Sequence, residues 1–163
     1  MKIQMLKALA ATAVVALGFS ASAANAATAS ADATATILAQ VSVAKDSNLA
    51  FGTIAIGTSG GTVAISTAGA RACGTGLVCS GTVGAAGFTI TGVSGQNVGI
   101  SVPTSVSLSD GGTNTMSASL TSSASTLTLD GTDNFAVGGT LTVGAAQAAG
   151  AYTGTFAVTV NYQ

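Results

Sequence analysis

The C-terminal stretch Ala149-Gly150-Ala151-Tyr152-Thr153-Gly154-Thr155-Phe156-Ala157-Val158-Thr159-Val160-Asn161-Tyr162-Gln163 decides the fold class. Tyr152, Phe156, Val158, Val160 and Tyr162 occupy even positions, and Thr153, Thr155, Thr159, Asn161 and Gln163 the odd ones. Alternation of this kind predicts an extended strand with one face in a core and the other in water. At about 3.3 Å per residue the strand spans roughly 40 Å if continuous, and it is expected to end the fold. Its outer edge would present a row of backbone donors and acceptors. Whatever pairs with that edge is expected to decide what the protein does.

A second long alternation lies at the other end. Ala31, Ala33, Ala35, Ile37, Ala39, Val41 and Val43 fall on odd positions, and the turn cluster Lys45-Asp46-Ser47-Asn48 closes the run. This exceeds an ordinary strand, so it divides into an N-terminal extension, residues 27–40, and a first strand proper. Leu49 and Phe51 keep the odd phase, whereas Ile54 and Ile56 switch to even, which predicts a bulge or a change of sheet at Gly52. Shorter alternations follow around Val63, Phe88, Val98, Val106, Met116, Leu127, Phe135 and Leu141, separated by Gly-rich turns. Pro103, the only proline, must stand at a strand end or edge. No segment holds a helical period for three turns, although Ala145 to Ala149 has room for one helical turn. Many short strands with Gly-rich turns predict an all-β fold, an immunoglobulin-like antiparallel β-sandwich over residues 41–163.

The N-terminus reads as a cleaved signal-peptide helix. Lys2 and Lys7 form a basic region, Ala8 to Phe19 an apolar one, and Ala24-Asn25-Ala26 a cleavage site, giving a signal peptide over residues 1–26. Ala21-Ser22-Ala23 offers a second cut. The apolar run falls short of the roughly 20 residues that span a bilayer, and residues 27–163 hold no window suited to insertion. The chain is therefore expected to cross the inner membrane and reach the periplasm, then the cell surface or medium.

Only 6% of the residues are charged, against about 25% in soluble domains. After cleavage Lys45 and Arg71 are the only cations facing five aspartates, which excludes an electrostatic nucleic-acid binder. Weak charge on an Ala-, Val-, Ser- and Thr-rich β protein suits a surface polymer with neutral, polar outer faces. Cys73 and Cys79 are the only cysteines, and in an oxidising compartment they are expected to form a structural disulfide.

Catalytic chemistry finds little to work with. Histidine, glutamate and tryptophan are absent, so the usual general base and commonest metal ligand are missing. The serines lack a base partner, and no enzymatic role or cofactor is expected. Asp130-Gly131-Thr132-Asp133-Asn134 offers oxygens of the kind calcium takes, yet Asp-Gly is also a common hairpin turn, and the turn is the preferred reading.

A free segment 27–40 would be suited to adding itself to another subunit's open sheet edge. Head-to-tail addition does not close, so it makes filaments, and a subunit with an uncovered edge would need a chaperone. Here the residues carry a resemblance. The ending from Ala149 to Tyr162, with Leu49-Ala50-Phe51-Gly52, Gly60-Gly61-Thr62 and Gly138-Gly139-Thr140-Leu141, resembles the exported bacterial family "domain of unknown function 4402". It is similar, more loosely, to the spore-coat-protein-U-like pilins of chaperone–usher systems. The resemblance implies an incomplete sandwich, capped by a periplasmic chaperone, passed to an outer-membrane usher and completed by a neighbour's N-terminal strand. It implies Ala33, Ala35, Ile37, Ala39 and Val41 as donor positions. Tyr152, Phe156, Val158, Val160 and Tyr162 would line or border the groove. The expected function is a structural subunit of a pilus-like fibre that self-associates by donor-strand exchange. The alternative is a monomeric, self-complemented secreted domain that binds a surface polymer or partner protein.

Overall fold

The computed structural model describes residues 26–57 and 59–163, so the signal peptide expected over residues 1–26 lies outside the described residues except for Ala26. Residues 26–36 form neither helix nor strand. The body begins at Ile37. Its strands are β1 (Ser42–Lys45), β2 (Thr53–Ile56), β3 (Gly61–Ile65), β4 (Arg71–Cys73), β5 (Leu77–Ser80) and β6 (Ala86–Thr91). They continue as β7 (Asn97–Ser101), β8 (Ser105–Ser109), β9 (Thr115–Ser122), β10 (Thr126–Thr128), β11 (Thr132–Val143) and β12 (Thr159–Tyr162). Every pairing among them is antiparallel. The fold is an all-β antiparallel sandwich, as the alternation predicts.

The long strand β11 organises it. Thr132–Val137 pair with β6, Gly139–Val143 pair with β3, and Val137–Thr142 pair with β9. With β1 beside β6, β4 beside β3 and β8 beside β9, these make a seven-stranded sheet. The facing layer is split into a three-stranded sheet, β10-β7-β12, and a two-stranded sheet, β2-β5. Each covers its own core. The first core gathers Phe88, Ile90, Val98, Leu129, Phe135 and Val137. The second gathers Phe51, Val63, Ile65, Ala118, Leu141 and Val143. Phe88 stacks on Phe135 at 5.1 Å between centroids, a geometry favoured by the ring quadrupoles. Completely buried side chains such as Ile90 and Leu141 each contribute about 1.5–3 kcal/mol relative to exposure.

Four features differ from the expectation drawn from sequence. The terminal alternation is a strand only over Thr159–Tyr162. Its burial does alternate from Tyr152 to Tyr162, but its partners change: Thr153 bridges Ser109 of β8, whereas Thr159–Tyr162 pair with β7 in the other layer. Gly154 marks the departure, since a Cβ there would run into the Ser107 carbonyl. The first alternation is likewise a strand only over Ser42–Lys45. Ala145 and Ala146 form a turn in which Gln147 N–H donates to the Gly144 carbonyl (3.3 Å), not a helical turn. Finally, β11 runs unbroken through Gly138-Gly139. Bare backbone suits that site because a Cβ on Gly138 would meet the Ile65 carbonyl, and one on Gly139 the Ser119 carbonyl.

Candidate functional site

Over the second core the facing layer is incomplete. β2 pairs with β5 through the register Thr53↔Ser80 to Ile56↔Leu77, and among the described residues no strand occupies its other edge. That edge borders a groove of about 900 Å³. Ile54 and Ile56 stand on one wall, the segment Gln147–Tyr152 forms the other, and Leu108, Met116, Leu141 and Val143 lie beneath. None of the lining residues is charged.

The β2 wall has its shape from Gly52. Phe51 is buried in the second core, as are the inner faces of Ile54 and Ile56, although they fall on opposite parity. The switch requires a residue at φ +79°, and a Cβ on Gly52 would press against the Ser80 carbonyl at 2.5 Å. Gly81, at φ +73°, stands across from it. The phase change in the sequence therefore marks the entry to the groove.

β2 and β5 are fastened to the large sheet at one corner. The Arg71 guanidinium, on β4, donates to the carbonyls of Ser80 (2.8 Å), Cys79 (3.3 Å) and Gly81 (3.4 Å). The Cys73–Cys79 disulfide joins β4 to β5, so it crosses between the two layers as well as closing a short loop. The loop itself is tied down by Gly74 N–H donating to the Thr62 carbonyl (2.9 Å).

The opposite wall is held by two side chains, Tyr152 and Gln147, and Gln147 Nε2 also donates to the Thr115 carbonyl (3.4 Å). The Tyr152 hydroxyl donates to the Ala148 carbonyl (2.9 Å) and accepts from Gln147 Nε2 (2.8 Å). Beyond it, Thr153 and Ser109 exchange both backbone hydrogen bonds, at 2.8 and 2.9 Å. The hairpin after Ser109 turns on Asp110, whose carboxylate accepts from Asn114 Nδ2 (2.6 Å) and Gly112 N–H (2.8 Å). These bonds, the Asn114 one foremost, hold the Asp110 carboxyl below the ordinary carboxylate value.

Tyr152 lines the groove. Phe156, Val158, Val160 and Tyr162 instead close the first core: Phe156 meets Phe88 edge-on at 6.3 Å, Val160 is buried, and the Tyr162 hydroxyl accepts from Val93 N–H (2.9 Å). Of the donor positions, Ile37 is 94% exposed, Ala39 is exposed and Val41 packs half-buried on the first core. Ala33 and Ala35 lie in the 26–36 segment and are in no strand. Sequence reasoning did not single out Leu108, Met116, Leu141 and Val143 as a floor, because their alternation is identical to that of any covered strand. Asp130 and Asp133 form a turn in which Asp130 N–H donates to the Asp133 carboxylate (2.7 Å).

No curated protein and no solved structure matches the chain. A family model described as "Domain of unknown function (DUF4402)" matches residues 41–162, the whole sandwich from β1 to Tyr162. On that match the chain belongs to the DUF4402 family.

Proposed function

We propose that this chain is a structural subunit of a bacterial surface fibre, completed by a strand from a neighbouring copy. The observation that carries the reading is the uncharged groove lying open along the unpaired edge of β2. Leu108 and Met116, half-buried on the floor, leave apolar surface in water at a cost of roughly 25 cal/mol per Å², and an open strand edge invites pairing. Both are relieved by one extended, alternating segment, and residues 27–40 have that character without being in a strand of their own sheet. Until a neighbour arrives, a periplasmic chaperone would cover the groove, and an outer-membrane usher would deliver the subunit to the surface. Catalysis has no part in this reading.

The test is the surface-sheared fraction on a denaturing gel, boiled and unboiled. A ladder of multimers that collapses on boiling, and disappears when residues 27–40 are deleted, is the expected result. A single monomer band in both lanes overturns the fibre and leaves a self-complemented secreted domain.

A further inference from the structure

Ile37 is the most exposed large apolar side chain among the described residues, at 94%. It stands in a run without charge from Ala33 to Val41, and every other odd position there is Ala or Val. The groove is equally free of charge, and its floor presents the half-buried Leu108 and Met116. Among the donor positions Ile37 alone is bulky enough to fill space above that floor.

Its own groove is out of reach. Ser42 pairs with Thr91, and Thr91 pairs with Thr132, so β1 begins level with the first residue of β11. The floor lies at Leu141 and Val143, at the far end of the same strand, roughly 30 Å or more away. Five peptide units separate Ile37 from Ser42, a span of at most roughly 18 Å even when fully extended. From the strand to which it is tied, Ile37 cannot arrive at Leu141.

We infer that Ile37 is the anchor of the exchanged strand and that it seats over the half-buried Leu108 and Met116 of a second copy of this chain, never of its own. The inference rests on the fibre reading above and adds the residue that fixes the donor's register. With one bulky side chain among alanines, a slip by two residues leaves the floor uncovered, so Ile37 selects a single pairing. The donor departs at one end of β11 and the acceptor lies at the other, which makes the contact heterologous and the assembly open-ended.

The experiment uses full-length chains exported together, one carrying Ile37→Cys and one tag, the other Met116→Cys and a second tag. The expected product is a covalent species bearing both tags and dependent on both cysteines. Leu108→Cys serves as a second floor position should Met116→Cys fail to accumulate. In parallel, Ile37→Ala should lower the ratio of heat-labile multimer to monomer by roughly tenfold or more, the effect of losing one buried aliphatic side chain. Val78→Ala, which trims an exposed aliphatic side chain outside both the donor segment and the groove, should leave it unchanged. If the ladder persists but neither floor cysteine captures Ile37→Cys, the anchor is overturned while the fibre stands. If the bond forms only inside one chain carrying both cysteines, exchange with a second copy is overturned. If the unmodified chain makes no ladder, the fibre reading and the anchor fall together.

Discussion

Arg71 Nη1 donates to the Ser80 carbonyl at 2.8 Å, and through this bond the edge of the large sheet holds the strand that supports the groove wall. Two further carbonyls, those of Cys79 and Gly81, share the same guanidinium. Arg71→Met keeps the length of the side chain and removes the charged donors. We expect a loss of about 1.5–3 kcal/mol, the magnitude of hydrogen bonds to a charged group, read from denaturant unfolding. A change of less than a few tenths would show that the clamp is ornamental. Gly52→Ala should be at least as damaging, because its φ of +79° is unfavourable for alanine and its Cβ has no room.

The disulfide acts at the same corner. A double replacement, Cys73→Ser with Cys79→Ser, should cost roughly 2 kcal/mol by the chain-entropy argument for a short loop. Because the bond joins β4 to β5, its loss should loosen the β2-β5 sheet before the first core. Hydrogen exchange should therefore quicken at Ile54–Ile56 while Ile90 and Val137 remain protected. Equal acceleration in both regions would refute this division.

Tyr152→Phe removes a hydroxyl that both donates to Ala148 and accepts from Gln147. The expected cost is about 1 kcal/mol. Proteolysis between Ala148 and Ala151 should become faster, since the Gln147 Nε2 bond to the Thr115 carbonyl (3.4 Å) is then left to hold that wall. Unchanged cleavage would place the restraint elsewhere.

The Asp110 carboxyl is held below its ordinary value, mainly by the Asn114 side-chain amide and then by Gly112 N–H. A depressed folded-state value means that the ionised form stabilises the hairpin above the unfolded-state value and that this contribution is lost as pH falls through the folded one. The unfolding midpoint of the native chain should therefore exceed that of Asp110→Ala at neutral pH. The gap should narrow as pH falls below about 4. A gap independent of pH would assign the difference to the turn's shape alone.

Core and surface should respond in opposite ways. Ile90→Ala, at a site without exposure, should cost about 2–5 kcal/mol. Ile37→Ala should leave the unfolding midpoint of the monomer where it is, since the side chain is already in water. A shift with Ile37→Ala would mean that the residue packs against its own domain.

The amino-acid sequence by itself determined which side chains turn inward. Phe88, Ile90, Phe135, Val137 and Val160 are buried as their parity predicts, and even the terminal run from Tyr152 to Tyr162 alternates in burial. It also determined the bend at Gly52, because Phe51 and Ile54 cannot both face one core without a break in phase. The cysteine pair was legible from count, since Cys73 and Cys79 are the only cysteines. Only the tertiary structure decided which edges meet. A period of two states the face of a strand and says nothing of its neighbour, since every backbone edge offers the same donors and acceptors. Thus Thr153 joins β8 while Val160 joins β7, seven residues apart in one unbroken pattern. For the same reason Leu108, Met116, Leu141 and Val143 look like any covered core positions in sequence, and only the folded chain leaves them under an open groove.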